Sequence, residues 1–316
     1  MGLNRQTSGL DLSRFIVDNA KQYLSNTDVT VAEVFGHSGA TDEDDKVDIG
    51  NMAIRRFDDG MLARPQKFDL SGISLALGRK TPTLSQNAQN APRMIVPIAT
   101  DIGPQRLIVF DGLQDDADAR VLALQISELY EHQIRLMDHR ERDQLTGLLN
   151  RQTFNQFFQN NLERAKGNDQ TASLAVLDID HFKQVNDNYG HLFGDEVLLH
   201  FSQVMRATFR FNDPLFRFGG EEFIVLLSAD DPDGAKAALE RFRQAIEDYE
   251  FPGVGKVTVS IGAASYAQNE LPTSVVDRAD KALYYAKENG RNQVVLYSDI
   301  AGELETLKAE PEIDLF

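Results

Sequence analysis

The chain has 316 residues, enough for two domains of ordinary size, and 42% of them are hydrophobic, so it can bury sizeable cores. A formal net charge of −17 at pH 7 argues against a nucleic-acid-binding protein and against attachment to an anionic membrane through a basic patch. Because cysteine is absent, disulfides, thiolate nucleophiles and zinc–thiolate sites are excluded.

The N-terminal segment, MGLNRQTSGLDLSRF, is polar and lacks the apolar stretch of a signal peptide. Elsewhere, no apolar run approaches the length that crosses a bilayer. We therefore expect a cytoplasmic protein with neither a nucleic-acid nor a membrane partner.

The first predicted domain covers residues 1–114. Apolar residues recur at helical spacing over 12–24, and alternation predicts a strand over 29–35. Two further apolar runs, 93–100 and 105–112, flank the turn sequence DIGP and predict a β-hairpin. Together these elements indicate one α/β domain.

Residues 115–143 are predicted to form a long helix that links two domains. Residues spaced alternately by four and three define a heptad seam on this helix: Leu122, Ile126, Leu129, Gln133 and Leu136. The seam favours a dimer of helices. The alternative is an ordinary amphipathic helix packed on its own domain, because two heptads are fewer than the usual three or four.

The second predicted domain covers residues 144–298, with helices expected on one face of a mixed sheet. Strands are predicted at 173–180, 256–266 and 293–298, a hairpin at 215–227, and helices at 194–210, 233–249 and 274–290. In the hairpin, Gly219 and Gly220 indicate a tight turn, where residues can take positive φ.

Two acidic segments are expected to lie outside the packed cores. The loop 41–48 is predicted to be solvated, and the tail 299–316 is predicted to be frayed.

Carboxylates are predicted to meet at one edge of the second sheet. Asp178 and Asp180 end a buried strand, and Glu221 and Glu222 lie in the hairpin. Desolvated carboxylates are costly unless a cation compensates them. If Asp178 and Glu221 converge, they form an all-oxygen site of the kind that Mg²⁺ takes together with substrate phosphates, with Mn²⁺ as an alternative ion. Asp180 has a second interpretation, which is capping of the following helix.

Other polar residues suit the rest of a nucleotide. Lys287 and Arg291 lie four apart near a helix end, where they either clamp β- and γ-phosphates or interact only with the helix C-terminus. Asn186 and Asp195 together match the donor edge of guanine, whereas Asp195 alone is also a common helix N-terminal charge.

Five ordered stretches make the second domain resemble the GGDEF family of diguanylate cyclases. They are DQLTGLLNRQTF (143–154), LDIDHFKQVNDNYGHLFGDEVL (177–198), RFGGEEF (217–223), VSIGAA (259–264) and RADKALYYAKENGRNQV (278–294). The third signature position is Glu221 rather than Asp, a variant that active members of the family also use.

The resemblance implies a palm-like α/β fold shared with nucleotidyl cyclases and polymerases. It implies the reaction of two GTP to cyclic di-GMP and two pyrophosphates in a homodimer whose cyclase domains face each other. Each 3′-OH would then attack the α-phosphate of the opposite GTP.

The family's motif positions imply a role for each matched residue. Metal would bind Asp178, the backbone carbonyl of Ile179 and Glu221, and Glu222 would either join the metal site or help to deprotonate the 3′-OH. The catalytic group would be Asp178, Lys183, Glu221 and Glu222; the phosphate contacts would be Phe182, Lys183, Lys287 and Arg291; the guanine contacts would be Asn186 and Asp195.

The stretch RFND places Arg210 and Asp213 where the family has its RxxD site, at which the product cyclic di-GMP binds and inhibits. Arg241 or Arg243 would supply a second contact there. The alternative is a local Arg–Asp pair at a helix end, which contributes less than about 1 kcal/mol.

The first domain resembles a GAF-type sensor by its pattern of elements, with a PAS-like domain as the alternative. The expected architecture is therefore α/β (α+β), with a sensor domain and a GGDEF domain joined by a long helix. An unknown small-molecule signal at the sensor would act through the seam on the pairing of cyclase domains.

Two other functions remain open from the sequence. One is a catalytically silent receptor for GTP or cyclic di-GMP that acts through protein partners. The other is a cyclase that accepts ATP.

Overall fold

The computed structural model describes residues 9–24, 26–35, 46, 53–57, 71–114, 116–167, 171–210, 213–229, 232–267 and 269–302. The predicted acidic loop 41–48, except Lys46, and residues 303–316 of the predicted tail lie outside the described residues. The chain divides into two compact units, Met1–Gly147 and Leu148–Phe316.

The first unit is a five-stranded antiparallel sheet with three helices in its described part. Its elements are α1 (Gly9–Tyr23), β1 (Asp28–Phe35), β2 (Ala53–Phe57), α2 (Ile73–Arg79), β3 (Thr83–Gln86), β4 (Pro92–Ile98), β5 (Gln105–Asp111) and α3 (Ala117–Glu141). The strand order is β2-β1-β5-β4-β3. The predicted helix, strand and hairpin are present, whereas β2, α2 and β3 were not predicted.

Helices cover both faces of this sheet. Alternate residues of β1 point to opposite faces, so Val31 joins the cluster beneath α1 and α3, and Ala32 joins the cluster beneath α2. In α3, the residues that enter the first cluster include Ala123, Tyr130 and Ile134. The long helix is therefore part of the core of the first unit.

The predicted seam lies beside this buried face of α3. Leu122 and Ile126 pack partly against the core, whereas Leu129 and Leu136 are 46% and 58% exposed. One face of α3 thus packs on its own domain, as the alternative to a dimer of helices predicted. Dimerisation through the exposed leucines stays a prediction.

A buried ion network fixes α3 to the sheet. Arg106 of β5, 1% exposed, donates from Nε to Glu33 of β1 at 3.0 Å and from Nη2 to Asp138 of α3 at 2.9 Å. Arg142 donates from Nε to the same Asp138 carboxylate at 2.9 Å, and from Nη1 to the carbonyl of Gly147 at 3.1 Å. The end of α3 is therefore held by charge pairs that solvent screens poorly.

The second unit is a six-stranded mixed sheet with the order β11-β10-β7-β9-β8-β6. Its elements are β6 (Leu149–Asn150), a 3₁₀ turn (Arg151–Thr153), α4 (Phe154–Gly167), β7 (Thr171–Ile179), α5 (Phe182–Tyr189), α6 (His191–Thr208), β8 (Leu215–Arg217), β9 (Glu222–Ala229), α7 (Pro232–Asp248), β10 (Val259–Tyr266), α8 (Pro272–Glu288) and β11 (Val294–Leu296). β10 pairs with β11 and β6 with β8 in parallel, and the other pairs are antiparallel.

Helices cover both faces of the second sheet, so the prediction of one covered face is wrong. On one face, α8 lies directly on Gly262 of β10, where an added Cβ would collide with the backbone of Leu283. On the other, Phe223 of β9 packs on Phe201 of α6, with ring centroids 4.7 Å apart. The continuous apolar run of β9 is the signature of a strand buried on both sides.

The prediction that the tail is frayed from residue 299 onwards is wrong for residues 299–302. Residues 297–302 are helical, Ile300 is buried, and Asp299 accepts a hydrogen bond from Lys236 Nζ at 3.0 Å. In the part of the chain that the structure describes, no helix combines the length and apolar character needed to span a bilayer.

The Arg106 network generates a stability prediction. Asp138→Ala leaves the buried guanidinium without its two-point partner and should destabilise the first unit by about 3–5 kcal/mol. Amide hydrogen exchange of β1 and β5 in the full chain measures this loss. The control is Asp101→Ala, which removes an exposed ion pair with Arg135 and should change little. Equal effects of the two substitutions would contradict the network's role.

Candidate active site

Two adjacent strands bring carboxylates to one edge of the second sheet. Asp178, the penultimate residue of β7, pairs in register with Glu222, the first residue of β9. Glu221 directly precedes Glu222, and the Asp178 carboxylate contributes to the raised pKa of Glu221. The structure therefore brings together the acidic residues that the sequence placed on separate strands.

The turn 218–221 holds the two glutamates by backbone contacts. Phe218 and Gly219 donate from their backbone N–H groups to the carbonyl of Glu222, at 2.8 and 3.3 Å. Arg217 donates from Nη2 to the carbonyl of Gly220 at 2.9 Å. These contacts close the hairpin beneath the carboxylates.

The predicted tight turn is present, but neither of its glycines uses positive φ. The structural reason for Gly219 is close approach, since an added Cβ would lie 2.8 Å from Glu222 Oε2. At Gly220 an added Cβ would meet nothing within 4 Å. The absence of a side chain at Gly219 thus makes room for the Glu222 carboxylate, whereas Gly220 borders open space.

Crowding raises the pKa values of Asp178 and Glu221. Burial raises the pKa of Asp178, which is 5% exposed, and Glu222 adds to this rise, while an ion pair with Lys287 Nζ at 2.8 Å opposes it. Desolvation and the charges of Asp178 and Glu222 raise the pKa of Glu221. The site therefore disfavours its own negative charge and favours an added cation.

Asp280 of α8 also lies near these carboxylates, and it was not among the predicted site residues. Its pKa is raised by partial desolvation and then by the charge of Glu222, and Lys287 opposes the rise. Asp280 and Lys287 are seven residues apart, two turns along one helix face, and this spacing was the available signal.

The donor chemistry of this edge fits a hard divalent cation. Asp178, Glu221 and the carbonyl of Ile179 offer only oxygen, which Mg²⁺ and Mn²⁺ prefer. Among the described residues, however, no three His, Cys, Asp or Glu side chains already stand together as a metal-binding group. The lysine that pairs with Asp178 supplies the compensating charge in this structure.

The two predicted phosphate-binding cations do not share a helix face. Lys287 lies in the last turn of α8, which ends at Glu288, and Arg291 lies in the turn beyond it. Gly290 has φ of 109°, as expected of a residue that follows a helix end. Arg291 N–H donates to the carbonyl of Ala286 at 3.0 Å and closes the helix end. The prediction of helical spacing is wrong because the helix stops between the two cations.

Asp180 neither caps α5 through its side chain nor ends a strand. Residue 181 is the N-cap of α5, with φ of 59°. The Asp180 carboxylate instead accepts from Thr258 Oγ1 and Ser260 Oγ, both at 2.7 Å, and from the N–H of Asn292 at 3.1 Å. The capping interpretation is wrong because β10 and the turn after α8 take both oxygens.

The remaining predicted ligands surround α5. Ile179 and Phe182 are buried, whereas Lys183 is exposed. Asn186 is half-buried on α5, and Asp195 is exposed on the neighbouring α6. The two helices approach closely at Gly194 of α6, where an added Cβ would collide with Asn186 Oδ1.

The RFND segment follows α6. Arg210 is exposed, and its backbone N–H donates to Asp213 Oδ2 at 2.9 Å. Arg241 donates to the carbonyl of Thr208 at 3.1 Å, so it reaches the end of α6. Arg243 instead contacts Glu240, Glu247 and Asn292. Of the two proposed second contacts, Arg241 is therefore the one directed towards RFND.

Comparison with known proteins agrees with this geometry. The family model "Diguanylate cyclase, GGDEF domain" matches residues 140–293. The structure of the coiled coil and GGDEF domain of DgcB from Caulobacter crescentus, in complex with c-di-GMP, is similar with a TM-score of 0.50 and 31% identity. That match covers 57% of this chain and 98% of the DgcB chain.

Curated relatives extend the similarity. Diguanylate cyclase DgcP of Pseudomonas aeruginosa is 32% identical over 268 residues, which are 82% of this chain and 38% of DgcP. Diguanylate cyclase A of Treponema denticola is 45% identical over 131 residues, which are 40% of this chain and 35% of that protein. The similarity to DgcP is longer than the GGDEF match and so reaches into the first unit.

The second unit is thus an α/β domain whose sheet edge gathers carboxylates beside a helix-end lysine. Residues 140–293 therefore belong to the GGDEF family, whose model is described as a diguanylate cyclase domain. The chain spans less than two fifths of the length of the two curated relatives that it matches.

Crowding of the carboxylates generates a prediction about stability without metal. Glu221→Gln removes a charge that its surroundings disfavour, so in EDTA at neutral pH it should stabilise the second unit, by at most about 1 kcal/mol because the side chain is partly exposed. Differential scanning calorimetry of the full chain measures the change. The exposed Glu250 provides the control Glu250→Gln, which should leave the melting temperature unchanged. A lower melting temperature for Glu221→Gln would mean that Glu221 stabilises the fold.

Proposed function

We propose that this chain is a diguanylate cyclase that condenses two GTP into cyclic di-GMP and two pyrophosphates. The observation that supports this most strongly is the register of β7 and β9, which places Asp178 beside the GGEEF turn. The matches of the GGDEF family to this same segment support the reaction class.

In this proposal, Asp178, Glu221 and the carbonyl of Ile179 hold the divalent ion, Mg²⁺ or Mn²⁺. A bound ion would supply charge stabilisation at the phosphates. Lys287 already neutralises Asp178 at 2.8 Å, so it stands where it can turn to a phosphate once another cation compensates the carboxylate. Glu222 is exposed beside Asp178 and is able either to bind metal or to accept the proton of the 3′-OH.

The substrate contacts follow from the ends of the helices. Backbone N–H groups of Phe182 and Lys183 begin α5 and are available to phosphate oxygens, as at other helix N-termini. Lys183, Lys287 and Arg291 add positive charge. Asn186 and Asp195 lie on neighbouring helices and would read the guanine edge, since adenine lacks the donor pair that a carboxylate accepts.

Turnover requires two GTP molecules, so we propose a homodimer in which two cyclase domains face each other. The first unit would act as a GAF-like or PAS-like sensor for a small-molecule signal and would set the fraction of productive pairs. The exposed Leu129 and Leu136 of α3 offer a surface on which a second copy could pack.

The RFND segment would bind product and inhibit. Arg210 is exposed and presents a forked set of donors that suits guanine or phosphate. Arg241, which reaches the end of α6, would be the second contact. A catalytically silent receptor is less favoured than an active enzyme, because the carboxylates and cations of the site are intact.

The central test is turnover. The full chain with GTP and Mg²⁺ or Mn²⁺ should form cyclic di-GMP, and ATP should give no cyclic product; chromatography with mass detection identifies the products. Glu221→Ala should lower kcat at least about a hundredfold without unfolding, because it removes a metal ligand and not a core group. Glu250→Ala is the matched control. A wild-type chain that forms no cyclic dinucleotide as monomer or dimer would favour the receptor.

Measurements of product inhibition test the proposal that the RFND segment binds cyclic di-GMP. Arg210→Ala should raise the inhibition constant of cyclic di-GMP about tenfold or more, since it removes charge-assisted hydrogen bonds. Its uninhibited rate should stay near that of the wild type. Initial rates over a series of product concentrations give both values. Unchanged inhibition would remove this assignment.

Substitution of an exposed leucine of α3 tests the proposal that two copies pair through this helix. Leu129→Lys places a charge in the proposed seam and should weaken dimerisation, whereas the fold should survive because the side chain is exposed. Analytical ultracentrifugation measures the dimer constant. Arg120→Ala, at a half-buried position nine residues earlier on α3, serves as a control outside the seam. A dimer unaffected by Leu129→Lys would exclude the seam.

A further inference from the structure

The turn that carries Arg291 has an unusual backbone. Gly290, Arg291 and Asn292 have φ values of 109°, 63° and 43°, so three successive residues lie in the left-handed region. Residues with a side chain avoid this region unless the surrounding structure imposes it. Contacts outside the turn must therefore hold it.

The Asp180 carboxylate supplies one of these contacts. Asp180 is 5% exposed, and its Oδ2 accepts from the N–H of Asn292 at 3.1 Å and from Thr258 Oγ1 at 2.7 Å. Its Oδ1 accepts from Ser260 Oγ at 2.7 Å. A buried carboxylate with several donors has a fixed position, so the backbone of Asn292 is fixed with it.

The side chain of Asn292 is held separately by α7. Its Nδ2 donates to Glu247 Oε1 at 3.0 Å, and its Oδ1 accepts from Arg243 Nη1 at 3.0 Å. Arg243 also pairs with Glu247 at 2.6 Å. Asn292 is thus held through its backbone by Asp180, the residue after β7, and through its side chain by α7.

These contacts bear directly on the proposed phosphate site. Arg291 precedes Asn292 and donates its N–H to Ala286, the residue before Lys287. Asp180 follows Asp178 by two residues on the segment that ends β7. One carboxylate therefore joins the segment that bears Asp178 to the turn that bears Arg291.

We infer that Asp180 is a positioning residue: it holds Arg291 in the strained turn beside the carboxylate edge and does not itself touch substrate or metal. This inference rests on the proposed function of Arg291 as a phosphate contact. It assigns Asp180 a role in triphosphate affinity that neither metal binding nor helix capping predicts.

Equilibrium binding to the full chain with Mg²⁺ tests the inference. The probes are GMP and a GTP analogue in which a methylene group replaces the α,β-bridging oxygen, because only the analogue carries β- and γ-phosphates. Asp180→Asn should weaken binding of the analogue about tenfold and binding of GMP less than about twofold. Because both residues act through one contact, Asp180→Asn combined with Arg291→Ala should bind the analogue no more weakly than Arg291→Ala alone.

Thr258→Val is the matched control. It removes a different donor to the same carboxylate and leaves the Asn292 N–H in place. It should lower stability but leave analogue affinity at the wild-type value. If Asp180→Asn fails to fold, Glu247→Ala weakens the turn from α7 and should reduce analogue affinity selectively, by a smaller factor.

Hydrogen exchange gives a readout without nucleotide. Amides of residues 290–293 should exchange faster in Asp180→Asn than in Thr258→Val.

Three results would overturn the inference while leaving the proposed function in place: wild-type analogue affinity in Asp180→Asn, additive losses in the double variant, or an equal loss in Thr258→Val. A wild-type chain that binds neither probe would remove the proposed function and this inference together.

Discussion

The Asp178 carboxylate is the group on which the arrangement of the second unit depends. It lies near the end of a strand buried on both faces, and it is desolvated beside Glu222. Such a charge persists only with a partner, and Lys287 reaches it from α8. This single ion pair therefore joins β7, a central strand of the sheet, to α8, which carries Lys287 in its last turn.

The surrounding acids make the same edge a poor place for negative charge and a good place for a cation. Glu221 has a raised pKa because of desolvation and of its acidic neighbours. In the proposed function, GTP with a divalent ion would bring both positive and negative charge to an edge that has carboxylates on the strands and a lysine on the helix. In that case, the crowding that is predicted to lower stability in the absence of ligand would favour binding of the cation.

Much of the second unit was predictable because its strands are long apolar runs and its helices are strongly periodic. The meeting of Asp178 with the GGEEF turn followed from two strand ends that had to pair. The position of Arg291 did not follow, since spacing of four indicates a helix face only if the helix continues, and Gly290 ends it. The role of Asp180 was also hidden, because its partners Thr258 and Asn292 are distant in sequence.

The first unit was predicted less completely for a different reason. Its elements β2, α2 and β3 are four to seven residues long, too short to show a clear period. The packing of α3 was ambiguous because its apolar residues exceed those needed for one face. Tyr130 and Ile134 enter the core, whereas Leu129 and Leu136 remain outside it. The spacing of apolar residues along the sequence does not distinguish those that enter the core from those that stay exposed.

The contact between Gly262 and α8 sets how evolution can vary this domain. Because helix and strand meet there backbone to backbone, no side chain sets their separation at this point. Neighbouring apolar residues can be exchanged without moving the helix towards or away from β10. Related proteins with very different core residues would therefore keep Lys287 at the same distance from the Asp178 carboxylate, as long as residue 262 has no side chain.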